Sequence, residues 1–236
     1  VKRFLIVALF VSASFVQCGY TSLTKVEAIA PPPQIIQTTN EQETQNKEGV
    51  KTKGGFGFIY SFPSAPDEFG DCWNNGFGFL GSTNIPLTKT LYLNINSHYI
   101  MFGFDEDGFL DWVSDESGVN IRNVSGLTIS GANASALSAT LSLKTILSPK
   151  ESSTKFYLLG GMGINYFSID DISFYYRGDS FSLDGDSETK PILNIGAGLF
   201  FPISPDVDLF LEARYCIIFT DDDNTQYIPL SLGISF

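Results

Sequence analysis

The chain holds a single histidine, His98, and Ser97 stands beside it. An imidazole that titrates near neutrality, a hydroxyl nucleophile and an acid make up the set used for acyl transfer. Neighbouring residues of a strand point to opposite faces, so Ser97 cannot reach His98 directly. No catalytic set is expected. The other ionisable side chains among small and apolar neighbours are Lys144, Asp208, Glu212 and Arg214. Glu212 and Arg214 share one face of any strand that carries them. A carboxylate withdrawn from water is costly unless it meets a cation. The expectation is therefore a structural network of Lys144, Glu212 and Arg214, with His98 in the same interior.

The acidic motifs point to metal chemistry only in part. Asp184, Asp186 and Glu188 have a D-x-D-x-E spacing, but Thr189 stands where a calcium loop turns on glycine and Ile195 where it needs a bidentate glutamate. Asp105 and Asp107, followed by Gly108, are likewise a fragment of such a loop. Asp221, Asp222 and Asp223 form the densest acidic cluster and the best remaining divalent candidate, although solvated loop tips are expected. Four Gly-x-Gly pairs, Gly55/Gly57, Gly76/Gly78, Gly161/Gly163 and Gly196/Gly198, lack the third glycine and the following helix of a phosphate-binding turn. Their expected role is to make room for larger neighbours such as Arg214, Tyr92 and Phe210. No cofactor or metal site is expected.

These residues must be held by strands, because the sequence from Gly54 onward alternates with period two. Strands are expected at about 54–62, 76–85, 89–104, 133–147, 154–168, 190–203, 207–220 and 226–236. The last is the clearest: Ile228, Leu230, Leu232, Ile234 and Phe236 fall on one face, and Tyr227, Pro229, Ser231, Gly233 and Ser235 on the other. An apolar stripe opposite small and polar groups fits a strand with lipid outside and a narrow polar lumen inside. By that parity His98, Lys144, Asp208, Glu212, Arg214 and the Gly-x-Gly pairs face inward.

Three connections are short and hold Pro86, Pro149 and Pro205, whereas the other four are long and carry 18 of the 26 Asp and Glu residues. Short turns on one side and long polar loops on the other predict an eight-stranded antiparallel up-and-down transmembrane barrel. Aromatic girdles are expected at Phe56, Phe156, Phe201 and Phe236 on one rim and at Phe62, Phe77, Tyr99, Tyr166 and Phe219 on the other, with Leu93, Ile95, Leu158, Leu193, Ile195, Leu211, Leu230 and Leu232 between. Phe58, Tyr60 and Tyr215 fall inside the aliphatic band. In the long loops, alternation through Val119, Ile121, Leu127 and Ile129 and through Ile172, Phe174 and Tyr176 suggests two hairpins rising beyond the membrane.

Residues 1–18 read as a secretory signal, with Lys2 and Arg3 before an apolar run from Phe4 to Val11. Cleavage after Cys18 and lipidation of Cys18 are both open, although Gln17 is a poor residue to precede a lipidated cysteine. Residues 19–53 are polar and proline-containing, the composition of a flexible periplasmic tail, which leaves 54–236 as the barrel domain. Cys72, in a loop, and Cys216, in a strand, are expected as free thiols. A net charge of −12 argues against a nucleic-acid partner.

Four stretches, Tyr157–Tyr166, Leu193–Leu199, Leu209–Tyr215 and Gln226–Phe236, make residues 54–236 resemble the small eight-stranded outer-membrane barrels, the group of OmpX, the OmpA transmembrane domain and the opacity proteins. The resemblance implies residence in the outer membrane of a Gram-negative-type bacterium, with both ends periplasmic and with lipid and lipopolysaccharide around the wall. It implies a C-terminal assembly signal ending in Phe236 that is read by the barrel-assembly machinery. It also implies a structural or adhesion-like role, with an extracellular ligand at the loops. A narrow channel and a lipid A-modifying enzyme are the alternatives, because function does not follow from fold.

Overall fold

A computed structural model describes residues 51–119, 121–122, 124–149, 152–220 and 223–236. The expectations for the export signal, for residues 19–50 of the tail and for Asp221 and Asp222 lie outside the described residues. In chain order the elements are β1 (Lys53–Ala65), α1 (Asp67–Cys72), β2 (Trp73–Pro86), β3 (Leu91–Phe104), α2 (Glu106–Ser117), β4 (Leu127–Gly131), β5 (Ala134–Ile146), β6 (Lys155–Ile169), β7 (Ile172–Tyr176), β8 (Asp179–Leu183), β9 (Asp186–Pro202), β10 (Asp208–Ile218) and β11 (Thr225–Ser235).

Eight of the strands close into an antiparallel barrel in the order β1-β11-β10-β9-β6-β5-β3-β2. The seam between first and last strand is complete: Gly54 donates to the Phe236 carbonyl at 2.8 Å and Phe236 donates to that of Gly54 at 2.9 Å. Every expected barrel strand is present, although β9 begins at Asp186 rather than near residue 190. Pro86 ends β2 instead of lying in the turn.

The wall is apolar outside. Phe56, Phe156 and Phe236 are exposed at the short-turn rim, and Phe62, Phe77, Tyr99, Tyr166 and Phe219 at the other, with Ile95, Leu141, Leu158, Leu193, Ile195, Leu211, Leu230 and Leu232 exposed between them. Phe201 is half-buried. Water does not tolerate an apolar belt of this extent around a closed barrel, whereas lipid requires one. The barrel is transmembrane. Two of the three aromatics that fell inside the aliphatic band form a cluster on β1 and β2, where Phe58 lies 5.4 Å from Phe79, and Tyr60 lies 5.0 Å from Phe77 and 4.9 Å from Phe62, whereas Tyr215 stands on β10 and donates its hydroxyl to Gln226.

Two expectations need correction. The first long loop is largely the helix α1, so Cys72 ends a helix rather than lying in a loop, and it is buried. The second loop is not a hairpin. It forms α2 and then the single strand β4, while Val119 lies outside any strand and Ile121 is buried. β4 pairs with β7 of the third loop, and the β7–β8 hairpin completes a three-stranded sheet. Because β4 leads into β5 and β7 follows β6, the β4–β7 pair prolongs the β5–β6 pair outward. Backbone hydrogen bonds from Ala132 to Asp171 (3.1 Å) and from Asp170 to Asn133 (2.9 Å) carry the ladder across the gap. Burying the apolar faces of both loops together is what favours one shared sheet over two free hairpins.

Candidate functional site

The lumen is filled in levels, each set by the inward positions of neighbouring strands. Nearest the long loops it is apolar. α1 drops Phe69 into the mouth, where its ring lies 5.7 Å from Trp73, 5.2 Å from Phe102 and 5.8 Å from Phe167. The Trp73 indole donates to the Ala132 carbonyl at 2.7 Å, so even the ring nitrogen of this plug is satisfied.

Below it lies a level of neutral polar groups. His98 Nδ1 is 3.1 Å from Asn96 Oδ1 and Nε2 is 3.0 Å from the Tyr227 hydroxyl, which also meets Ser138 Oγ at 3.3 Å. Asn165 donates to Ser138 at 2.6 Å. Ser97 is exposed on the lipid face of the same strand, so the histidine and serine are separated by the wall itself. His98 therefore belongs to a different level from the charged residues.

Those three converge nearer the short turns. Glu212 lies between two cations: Arg214 Nε donates to Oε1 at 2.7 Å and Lys144 Nζ stands 3.3 Å from Oε2. Tyr157 donates its hydroxyl to the same Oε2 at 2.8 Å, and Arg214 Nη2 reaches Asn94 Oδ1 at 3.4 Å. The Lys144 ammonium also sits 4.3 Å from the centre of the Tyr157 ring and 5.3 Å from that of Phe200, within cation–π range. Glu212, Lys144 and Arg214 are all buried. Two inward glycines make this packing feasible. A Cβ on Gly196 would meet Arg214 Cγ at 2.9 Å, and one on Gly198 would meet the Tyr157 hydroxyl oxygen at 2.3 Å. Tyr157, and not Tyr92, is thus the tyrosine that a glycine accommodates here. The sequence signal for Tyr157 as a partner is its inward parity on β6, the strand that pairs with the one carrying Lys144.

At the opposite end the second and third loops build a small module outside the membrane. Asp105 caps α2, its side chain accepting from Gly108 N at 3.0 Å, and Gly118 (φ 64°) ends the helix. The fragment read as part of a calcium loop is a helix start. Asp107 and Asp111 instead pair with Arg122, at 3.3 and 2.8 Å, and Glu188 with Lys190 at 3.3 Å. Among the described residues no group of three or more His, Cys, Asp or Glu is placed to hold a metal ion. Asp223 accepts through its carbonyl from the Thr220 hydroxyl.

The three-stranded sheet turns Ile129, Ile172 and Phe174 inward, toward α2, where the Phe109 ring lies 6.4 Å from Phe174. Its other face carries only hydroxyls. The pairing aligns Thr128, Tyr175 and Ser180 in one row and Ser130, Ser173 and Ser182 in the next. Tyr175 is 50% exposed at the centre strand.

No family model and no curated protein matches the chain. Among solved structures the chain is similar to Neisserial surface protein A at 17% identity, over 78% of this chain and 95% of that one, with a TM-score of 0.51. It is also similar to Ail, the attachment invasion locus protein of Yersinia pestis (17% identity, 78% and 97%, TM-score 0.43), and to the N-terminal barrel domain of Pseudomonas aeruginosa OprF (14%, 78% and 97%, 0.41). At these identities the likeness concerns the fold. The chain folds as the small eight-stranded outer-membrane β-barrels do, with its apolar belt in lipid and its long loops gathered at one end.

Proposed function

We propose that this protein is a surface-interaction barrel of the outer membrane, adhesion-like in role, whose extracellular sheet binds an uncharged, hydroxyl-bearing ligand such as a neutral glycan. In this reading residues 1–18 export the chain, residues 19–53 are a periplasmic tail, and the strand ending in Phe236 is what the assembly machinery reads. The observation that carries the proposal is the outward face of β4, β7 and β8. It bears six hydroxyl side chains and no charge on a chain of net charge −12. A phenol ring flanked by hydroxyls offers a sugar both a stacking platform and hydrogen-bond partners. The sheet is held by its own apolar core, so the surface is organised before the ligand arrives.

The channel and enzyme alternatives draw less support. The lumen is filled at the apolar mouth and again at the charged level, and an eight-stranded barrel is wide enough only for its own side chains. His98 is engaged on both ring nitrogens inside the wall. We assign the Lys144–Glu212–Arg214 group a structural role. The test is a glycan-array and matrix-protein binding screen with the full chain in lipid nanodiscs, comparing wild type with Tyr175→Ala. Binding to neutral glycans that the variant loses, with unchanged gel mobility of the unheated barrel, is the expected result. Absence of any glycan binding, or binding that survives Tyr175→Ala, would overturn this reading.

A further inference from the structure

At the short-turn end of the barrel the lumen opens into a pocket of about 60 Å³. One water needs about 10–15 Å³, so the space takes something several times larger. Lys53, Lys144 and Lys155 reach it from β1, β5 and β6, and Asp208 from β10. Asp208 is taken up by Lys53 at 2.6 Å, and Lys144 lies 3.3 Å from Glu212, which Arg214 shares at 2.7 Å. Cations therefore outnumber carboxylates at this end of the lumen. The rest of the wall is largely apolar, formed by Phe200, Ile146 and Tyr92. Ser235 also lines the pocket; it is 2% exposed, and its Oγ is a buried polar atom without a hydrogen-bond partner. Behind it, a space of about 10 Å³ beside Arg214 holds no more than one water, and the Lys144–Glu212–Arg214 level closes the lumen. The pocket is a dead end with one opening.

We infer that this pocket binds one small aliphatic monocarboxylate, of the acetate-to-butyrate class, from the periplasmic side. The two ends of such an acid match the two kinds of wall. Its carboxylate meets the lysine ammonium groups and finds a donor in Ser235 Oγ, while its alkyl end lies against Phe200 and Ile146. Other ions fit less well. A halide has nothing to place against the apolar wall, and a phosphate would bring oxygens to that wall with no donor to meet them. A cation is repelled by the lysines. Cations along a low-dielectric opening concentrate anions. The acidic loops lie at the far end of the barrel, so the periplasmic mouth is the end that draws anions in.

The test is isothermal titration calorimetry of propionate into the full-length barrel in lipid nanodiscs, with protein-free nanodiscs as the blank and ionic strength held constant so that screening is unchanged. The expected result is saturable binding at one site, for which acetate and butyrate compete and chloride, phosphate and methylammonium do not. Lys155→Glu reverses one charge at the pocket without touching the Lys144–Glu212–Arg214 group, and is expected to raise Kd about tenfold or more. Ile146→Trp keeps every charge but fills the pocket, and is expected to abolish binding. Each variant is first checked for the gel mobility of the unheated barrel. No saturable heat with propionate, equal competition by phosphate, or unchanged binding in either folded variant would overturn the inference. Should Ile146→Trp fail to fold, Lys155→Glu and the competition series decide.

Discussion

The barrel wall and the extracellular sheet share a period of two but wear it inside out. In the barrel, the outward residues of β5 include Leu137, Leu141 and Leu143, and the inward ones are Ser138, Thr140, Ser142 and Lys144. In the sheet, Ile129, Ile172 and Phe174 face in, while Thr128, Ser130 and Ser182 face out. Alternation alone thus fixes the strand but not the solvent. What distinguishes the two is which face can be covered. Barrel strands close on themselves and leave their apolar side to lipid, whereas the three short strands have α2 to cover theirs.

The comparison can be broken most severely from inside the barrel. Glu212→Gln removes the only carboxylate between Lys144 and Arg214, and the expected loss of unfolding free energy is about 3–5 kcal/mol, read from urea titration of the folded barrel in lipid vesicles. A loss below about 1 kcal/mol would mean that the cations are already compensated without Glu212. Next come the two outward faces. Leu141→Arg, at mid-height of β5, should cost about 2–4 kcal/mol, because it places a guanidinium in the hydrocarbon core. Ser182→Arg makes the same chemical insertion on the outward face of β8, and should shift stability by no more than about 0.5 kcal/mol, because that face meets water. If the two arginines cost the same, the solvent assignment of one of the sheets is wrong.

The barrel was legible because lipid allows a backbone strand only when its partners are complete, so each strand had to announce itself by alternation. The inward glycines and the Lys144, Glu212 and Arg214 parity followed from the same rule. The module was harder to read. Asp105 and Gly118 are a helix start and stop by type, and Phe109, Trp112 and Val113 recur at helical spacing, yet the acidic first turn of α2 looked like a metal loop. The hydroxyl alternation through Thr128–Ser130, Ser173–Tyr175 and Ser180–Ser182 was visible. What the sequence could not convey was that β4 pairs with a strand from a different loop. The plug had no periodic signal: one ring, Phe69, on a six-residue helix does its work through burial among residues far along the chain.

The seam between β1 and β11 links closure of the barrel to its entry into lipid. Its partners, such as Phe58 and Leu232, lie at opposite ends of the barrel sequence, and until they meet the sheet has two unpaired edges. In water such an edge is merely sticky, but in hydrocarbon every unmatched amide is a penalty of several kcal/mol. Partly zipped sheets are therefore poor membrane residents, and crossing the bilayer and closing the seam become one concerted event. Contacts of such long sequence separation are slow to find. The β1–β11 pairing joins the two ends of the barrel sequence, so a factor that holds β11 against β1 while lipid replaces water is expected to speed closure.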